Sequence, residues 1–431
     1  MHNASSAATE DIAISHEAGM PRADPGGPST SPTGAAQATF SEVFAVGEFR
    51  SLWLAQVLSV AGDQLARVAL TLLVFDRTGS SLLAAVTFAA SVVPTFVGGI
   101  ALSGLADRWP RRRVMIGCDL GRAALVAVMA LPGMPIAVLV GLLFLVTLIG
   151  APFTSARAAL YPDILAGDRY EVGTAITLTT LQFAQALGFV VGGAVVAFFG
   201  VRTSLLVDAA TFILSALIIR IWVRARPAAR AVPDTEPRGH RGSLTAIRLT
   251  LTDPALRTPM LFGWLAAFYN MPEGVSAPLA ASLGGGAVAV GLILAAPAFA
   301  ASMGAIAFSR LVLPARRVRW MGPLAVTACA ILIVFVLHPP LPATLVILGL
   351  SGVFDCYQVA ANASFVRATP RQYRSSVFGV AQAGMSLGQG AAIIAAGAAA
   401  QFRSPSDVIA ASGAVGALCG LVIIANHRRN R

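Results

Sequence analysis

The chain has 431 residues, of which 56% are hydrophobic and only 12% are charged. Because a soluble domain carries about 25% charged residues, this composition excludes a soluble globular enzyme and an intrinsically disordered chain. The apolar character continues along almost the whole sequence, which argues against a single membrane anchor on a soluble domain. The net charge of +11 involves no lysine, since all 31 basic residues are arginine.

The first 47 residues are rich in Ala, Ser, Pro, Gly and Thr and contain no long apolar run. No basic stretch precedes an apolar core there, so the segment lacks the pattern of a cleavable signal peptide. Its composition predicts a disordered cytoplasmic tail over residues 1–47. Residues 428–431 form a second, short cytoplasmic tail.

From Phe49 onward, apolar segments long enough to cross a bilayer alternate with short polar breaks. Runs of about 20 apolar residues span a membrane as helices, because only a helix satisfies its backbone groups internally. We predict an all-α integral membrane protein with six-helix bundles over 48–223 and 259–427, joined by a cytoplasmic linker loop over 224–258. The twelve predicted transmembrane helices are 49–75, 81–103, 113–132, 136–160, 173–199, 203–223, 259–281, 287–310, 320–337, 342–366, 376–401 and 406–426.

The positions of the arginines indicate the orientation of the chain. With a cytoplasmic N-terminus, 25 arginines fall on the cytoplasmic side, three on the outer side and three within spans. This distribution obeys the positive-inside rule. It predicts a multi-pass protein of the plasma membrane with both termini cytoplasmic. Because the positive charge forms small clusters at helix ends, it does not indicate a nucleic-acid partner.

The two halves share short sequence patterns. Ala184-Gln185-Ala186 in the fifth predicted span reappears as Ala381-Gln382-Ala383 in the eleventh, and arginine clusters follow both the second and the eighth spans. Together these echoes favour one six-helix unit used twice, with pseudo-symmetry between the bundles. Transporters place their substrate between two such halves.

The loop after the second predicted span reads SGLADRWPRRR and begins at Ser103. Its aspartate can pair with the arginines or cap a neighbouring helix. A positive-inside anchor explains the arginines but not the Gly-Leu-Ala-Asp-Arg before them. The loop resembles the signature between helices two and three of the major facilitator superfamily, with Ser103 and Pro110 at usual glycine positions. The resemblance implies that Asp107, Arg108 and Arg112 form a cytoplasmic gate that latches the bundles in the outward-facing state.

The fifth predicted span contains Gly188, Gly192 and Gly193. Glycines at this spacing let helix backbones touch, which is a common packing role. The pattern also resembles the superfamily's fifth-helix motif, which is associated with antiporters that export, although Phe189 stands where proline is usual. Arg157 matches the family's fourth-helix arginine motif loosely, and the resemblance adds it to the cytoplasmic gate.

Other stretches, including Pro272-Glu273-Gly274 and Thr369-Pro370, are similar to the branch that holds macrolide-efflux and enterobactin-exporter-like permeases. The resemblance covers essentially everything after residue 48. It implies a secondary active transporter that exports a small amphipathic or hydrophobic compound, such as a drug, antibiotic or siderophore, in exchange for protons. A proton-coupled importer on the same fold is the alternative, followed by a lipid flippase or a membrane sensor.

A few charged side chains fall inside the predicted spans. A charge at mid-membrane costs about 2.5–3.5 kcal/mol on insertion scales, so it needs a partner or a water-filled cavity. Gln56, Asp63 and Arg67 lie on one face of the first span. Asp63 and Arg67 either neutralise each other as a structural ion pair or face a cavity where they bind protons or substrate. We expect Arg67 to be the fixed charge.

Two further acids have no cation on their own helix. Asp355 shares a face of the tenth span with Gln358 and Asn362, and Glu273 follows Asn270 beside a helix break in the seventh span. Each acid must pair elsewhere or carry a proton. Proton exchange at these acids would suit a proton-coupled exporter, whereas a hydrogen-bonded neutral acid is the structural alternative. We assign eight residues to the proton-coupling and substrate cavity: Asp355, Gln358, Asn362, Glu273 and Asn270, together with Gln56, Asp63 and Arg67 of the first span.

Asp119, Arg122, Asp208 and Arg157 lie nearer the ends of their predicted spans than the other charged residues do. The four cysteines stand alone in apolar surroundings, and the sequence has no phosphate-binding loop and no catalytic triad or metal-ligand pattern. We therefore expect no enzyme activity, no metal and no cofactor. The expected partners are a small-molecule substrate, protons and the lipid bilayer, and the expected state is a monomer.

Overall fold

The described part of the protein is helical. The computed structural model describes residues 39–94, 98, 109–226, 248–370 and 374–429. Within these ranges no β-strand occurs, as expected for segments that must satisfy their backbone hydrogen bonds in lipid. The first 38 residues of the predicted tail, the gate residues Asp107 and Arg108, and residues 227–247 of the predicted linker lie outside the described residues.

Local residue chemistry sets the helix ends in the N-terminal half. Its described helices are α1 (Phe40–Phe44), α2 (Gly47–Thr78), α3 (Ser81–Ala89), α4 (Arg111–Met129), α5 (Ile136–Ile164) and α6 (Asp168–Trp222). Gly79 ends α2 with a left-handed backbone (φ +63°), a conformation that glycine adopts readily. The Ser80 hydroxyl then accepts a hydrogen bond from the Leu83 N–H (3.2 Å) and caps α3. Non-helical Gly200 (φ 82°) interrupts α6.

Helix α1 differs from the prediction, because it lies in the segment expected to be a disordered tail. The Phe44 ring packs against the rings of Phe49 and Trp53, with centroid distances of 5.8 and 5.2 Å. Edge-to-face aromatic contacts of this kind add to the stabilisation from apolar burial. The last residues before the first span therefore fold onto it.

The C-terminal half contains a broken helix where the seventh span was predicted. Its described helices are α7 (Pro254–Trp264), α8 (Ala266–Tyr269), α9 (Ser276–Ser282), α10 (Ala287–Leu311), α11 (Pro314–Ala330), α12 (Leu341–Phe354), α13 (Tyr357–Ala368), α14 (Arg374–Ala399) and α15 (Pro405–Arg429). Between α8 and α9 lies a 3-10 turn, Met271–Glu273. Pro272 explains the break, since proline has no N–H to donate and its ring clashes with a continuing helix.

Eight helices in the described residues are long and apolar enough to cross a membrane. One of them, α6, has 55 residues and is divided by Gly200. A helix of that length measures about 80 Å, far more than the roughly 30 Å of a bilayer core. The eight are Gly47–Thr78, Ile136–Ile164, Asp168–Trp222, Ala287–Leu311, Arg316–Leu337, Leu341–Ala368, Val377–Ala399 and Pro405–His427. Of these, Leu341–Ala368 comprises both α12 and α13. The total of twelve spans stays a prediction.

The two halves touch each other at the ends of the helices that we predict to face outward. A Cβ atom placed on Gly193 of α6 would lie 2.7 Å from the carbonyl oxygen of Ala287 and 3.0 Å from the Cα of Gly291 in α10. On the same side of the molecule, a hydrogen bond of 2.9 Å from Gln401 to Ser80 also joins the two halves. Because Gly193 and Gly291 have no side chains, the backbones of the two halves can meet there.

The three glycines of the fifth-span motif serve two different contacts. A Cβ on Gly188 would lie 2.9 Å from the Ala61 carbonyl oxygen, and one on Gly192 would lie 3.1 Å from the Cα of Leu65. Both contacts are with α2 in the same half. Only Gly193 faces the opposite half, so packing within a half and contact between halves are separated along one helix.

We predict that Gly193→Leu separates the outer ends, because the new side chain would overlap the backbone of α10. The measurement is the yield with which a short bifunctional thiol reagent bridges Ser80→Cys and Gln401→Cys, in a background without the native cysteines. The yield should fall several-fold in Gly193→Leu. The control is Gly141→Leu, where a Cβ meets nothing within 4 Å. Equal yields in both variants would show that Gly193 does not hold the halves together.

Candidate functional site

A cavity of about 150 Å³ lies among α2, α4, α5 and α6 in the N-terminal half. Its polar lining includes three of the residues predicted from the first span, together with charged residues from two other helices. The polar and charged lining residues include Gln56, Ser59, Asp63, Arg67, Ser91, Arg122 and Asp208. The cavity therefore gathers intramembrane charge from helices that are far apart in the sequence.

Arg122 on α4 is the centre of this charged group. Its Nη2 donates to both carboxylate oxygens of Asp63, at 2.6 and 2.8 Å, and its Nη1 donates to the Ser59 hydroxyl at 3.2 Å. The Asp119 carboxylate lies 3.7 Å from Nη1, one helical turn away. The Phe212 ring covers the guanidinium, with its centroid 3.9 Å from the Cζ atom. This cation–π contact adds stabilisation in a desolvated site.

The structure does not form the Asp63–Arg67 ion pair that was one of the two sequence interpretations. Asp63 pairs with Arg122 instead, and Arg67 donates from Nη2 to the backbone carbonyl of Ser91 at 3.1 Å. That carbonyl follows the end of α3, where carbonyls lack intrahelical partners and attract cations. Both residues line the cavity. Binding of protons or substrate by them stays a prediction.

Asp119 and Asp208, which were not among the predicted cavity residues, are part of this group. Both are buried. The Ser215 hydroxyl donates to Asp119 at 2.6 Å, and the Thr211 hydroxyl donates to Asp208 Oδ1 at 3.4 Å. A Cβ on Gly62 would lie 2.4 Å from Asp208 Oδ1, so this glycine admits the acid to α2. The i, i+3 spacing of Asp119 and Arg122 was the sequence signal for the pairing.

In the C-terminal half, Asp355 is bound by a hydroxyl group. The Tyr269 O–H donates to Asp355 Oδ1, and Gln358 Nε2 donates to the Tyr269 oxygen at 3.0 Å and to the Gly263 carbonyl at 3.2 Å. Gln358 and Asn362 line a second cavity of about 110 Å³ between α7, α13 and α14. The predicted polar face of the tenth span is thus built into a hydrogen-bonded network.

Glu273 lies where the two halves approach each other. It ends the 3-10 turn after Asn270, whose carbonyl accepts the Glu273 N–H at 3.1 Å. Gln389 Nε2 lies 3.5 Å from Glu273 Oε2. Arg67, from the opposite half, interacts electrostatically with Glu273 and with Asp63. Arg67 is therefore shared between an acid of its own half and an acid of the other.

The predicted cytoplasmic gate is described only in part. Arg112 donates from Nη2 to the Arg220 carbonyl near the end of α6. Arg157 lies over the Tyr161 ring at 5.7 Å, and its Nε and Nη1 have no hydrogen-bond partner among the described residues. Glu48, which the sequence interpretation passed over, pairs with Arg226 at 2.7 Å on the same side. The gating role of these arginines stays a prediction.

Helices that span a membrane, with intramembrane charges gathered around cavities, define a multi-pass membrane transporter. The family model described as Major Facilitator Superfamily matches residues 52–339. The chain belongs to the major facilitator superfamily, as its loop signature indicated.

Curated relatives with low identity are efflux proteins. The chain is 27% identical over 349 residues to the multidrug efflux pump Tap of Mycolicibacterium fortuitum, covering 78% of this chain and 84% of that one. It is 24% identical over 239 residues to macrolide efflux protein A of Streptococcus pyogenes, covering 54% and 58%. It is 27% identical over 278 residues to the enterobactin exporter EntS of Citrobacter koseri, covering 61% and 63%. The chain thus spans about three fifths of the length of two of these relatives.

Solved structures show the same fold. A POT family transporter in complex with a thioalcohol-conjugated peptide has a TM-score of 0.70 at 9% identity, covering 88% of this chain and 95% of that one. A bacterial homologue of the human lysosomal transporter Spinster, inward-facing and occupied, has a TM-score of 0.66 at 15% identity, covering 88% and 95%. At such identities the likeness concerns the fold alone.

We predict that Arg122→Leu lowers the free energy of unfolding by about 3–5 kcal/mol, because removal of one partner leaves buried carboxylates unpaired. Thermal unfolding in detergent measures the loss. Combined with Asp63→Asn, the loss should be smaller than the sum of the two single losses. Arg202→Leu, at an exposed outer position, is the control and should change stability little. Additive losses at Arg122 and Asp63 would contradict the pairing.

Proposed function

We propose that this transporter exports a small amphipathic or hydrophobic compound across the plasma membrane by proton-coupled alternating access. Both termini lie in the cytoplasm in this proposal, as the arginine distribution indicates. The relatives named as macrolide, multidrug and enterobactin exporters support export. The sequence has no phosphate-binding loop for ATP, so this proposal assigns the driving force to an ion gradient, and the acids inside the predicted spans favour protons.

The observation that carries the proposal is that Glu273, at the broken helix of one half, lies within electrostatic range of Arg67 of the other half. A charge pair between halves strengthens their contact when Glu273 is ionised. When Glu273 takes up a proton, the attraction is lost and the halves are freer to separate. Proton binding and rearrangement of the bundles are thereby linked through one residue, as proton-coupled transport requires.

Asp63 and Asp355 have different parts in this proposal. Asp63 is held by Arg122 at 2.6 Å in the N-terminal cavity. Asp355 accepts a hydrogen bond from Tyr269, so its hydroxyl partner tolerates either protonation state of the acid. The cavity lined by Gln358 and Asn362 lies beside this acid and offers polar contacts to a substrate.

An apolar cavity supports the choice of substrate class. About 550 Å³ of space lies between α6 and α10, lined mainly by aliphatic and aromatic side chains. Phe183 of one half and Phe299 of the other meet there edge to face, with ring centroids 5.8 Å apart. A pocket of this size and composition accommodates the apolar part of a drug-sized compound, while the charged cavities contact its polar part.

The arrangement at the outer side supports an inward-facing state. Gly193 and Gly291 bring the two halves into backbone contact at that end, and the Gln401–Ser80 hydrogen bond reinforces it. A substrate from the cytoplasm or the inner leaflet would enter such a state. Export then requires these outer contacts to open.

We predict that Glu273→Gln reduces pH-gradient-driven transport at least tenfold, because the amide cannot exchange a proton. The measurement uses purified protein in liposomes. Ethidium and erythromycin are the first probe compounds, and a resistance-profile screen is used to choose among them. Glu171→Gln, at an exposed position near the start of α6, is the matched control and should transport normally. Unchanged gradient-driven transport in Glu273→Gln would remove this residue from the coupling mechanism.

Direction is tested separately in inside-out membrane vesicles. An acid interior should drive accumulation of the probe compound, since the vesicle lumen then corresponds to the outside of the cell. Accumulation should collapse when a protonophore is added. Gradient-driven accumulation only in right-side-out vesicles would instead identify an importer.

A further inference from the structure

Three carboxylic acids surround one guanidinium in the N-terminal half. Asp63 from α2 and Asp119 from α4 lie 2.6 and 3.7 Å from Arg122, and Asp208 from α6 lines the same cavity as Arg122. With all three acids ionised, and with Arg122 and Arg67 as the two cations of the cavity, the group carries one uncompensated negative charge. Two like charges about 4 Å apart repel by about 4 kcal/mol at an effective dielectric constant of 20. Charge balance therefore favours uptake of a proton by the group.

Asp208 is the member that combines an unsatisfied oxygen with a place in the cavity lining. Its side chain is 0% exposed, and Oδ2 has no hydrogen-bond partner among the described residues. Asp208 also lines the cavity of about 150 Å³. By contrast, Asp63 receives two hydrogen bonds from Arg122. Asp119 receives a 2.6 Å bond from Ser215 at Oδ2, and its Oδ1, which also has no hydrogen-bond partner among the described residues, lies 3.7 Å from Arg122 Nη1. A buried oxygen without a donor is where a proton gains most, because it converts an unpaired anion into a neutral acid.

We infer that the N-terminal half binds a proton of its own at Asp208, in a site shared with Asp63, Asp119 and Arg122. This site is separate from Glu273, and the inference rests on the proposed function only for the use that transport makes of the proton. On deprotonation, Asp208 passes its proton to water in the cavity. Its carboxylate then competes with Asp63 and Asp119 for the guanidinium of Arg122.

A metal cation suits the site less well than a proton. Arg122 already occupies the space beside Asp63, with Nη2 at 2.6 Å, and Arg67 lines the same cavity. These two cations repel a third. Sodium or calcium would also need several oxygen ligands around it, whereas one unpartnered oxygen is enough for a proton.

The competition for Arg122 would connect three helices. Asp63 belongs to α2, Arg122 to α4 and Asp208 to α6, and α2 also carries Arg67, which interacts with Glu273. A shift of the guanidinium from Asp63 toward Asp208 would leave Asp63 freer to attract Arg67. Uptake or release of a proton by Asp208 could thus change the electrostatic attraction between the halves without any contact between Asp208 and the substrate.

Infrared titration of the purified protein in lipid nanodiscs tests this inference without any substrate. The carboxylic acid C=O band of the wild type should contain a component that disappears as the pH is raised, equal to one proton per chain. Asp208→Asn should lack this component, whereas Glu273→Gln should keep it. Thr211→Val should shift the frequency of the band, because Thr211 donates to Asp208 Oδ1 at 3.4 Å.

The Thr211 variant keeps the test valid if Asp208→Asn does not fold. An unchanged acid band in Asp208→Asn, or in Thr211→Val when the first variant is lost, would overturn the inference. Removal of the band by sodium chloride at constant pH would overturn it in favour of a metal cation. Loss of gradient-driven transport in Glu273→Gln bears on the proposed function alone, since the band is measured without transport.

Discussion

A charged side chain inside a bilayer needs an opposite charge, hydrogen-bond donors or water, and this requirement shapes the N-terminal half. Arg122 meets it for Asp63 at 2.6 Å and approaches Asp119 at 3.7 Å. The Ser215 hydroxyl brings α6 into the same network. Helices α2, α4 and α6 are consequently joined by polar contacts as well as by apolar packing, and the cavity between them keeps its charged lining.

The two halves share an architecture but differ in chemistry. The N-terminal half gathers acids around the guanidinium of Arg122. In the C-terminal half, Asp355 accepts a hydrogen bond from the Tyr269 hydroxyl, whose oxygen accepts one from the Gln358 amide. Glu273 lies between these environments, with Arg67 on one side and Gln389 on the other. One half therefore supplies fixed charge, and the other supplies adaptable hydrogen bonds.

Length and apolar runs were enough to predict the helical membrane fold, because few alternatives satisfy a backbone in lipid. The shared face of Gln56, Asp63 and Arg67 also indicated residues that line one cavity. The partner of Asp63 could not be predicted, since helical periodicity reports only neighbours on the same helix and Arg122 lies on another. The approach of Asp208 depends on Gly62, whose role becomes visible only once α6 is packed against α2.

The backbone contact of α6 with α10 at Gly193 has a mechanical consequence. Gly193 lies shortly before the interruption at Gly200, near one end of the first segment of α6. The contact can therefore serve as the fulcrum about which that segment rotates. The 26 residues from Asp168 to Gly193 form a lever of roughly 37 Å, because each of the steps between them rises about 1.5 Å. A rotation of about 10° at the fulcrum would displace the far end by roughly 6 Å. Two glycines at one side of the membrane could thus control the width of an opening at the other.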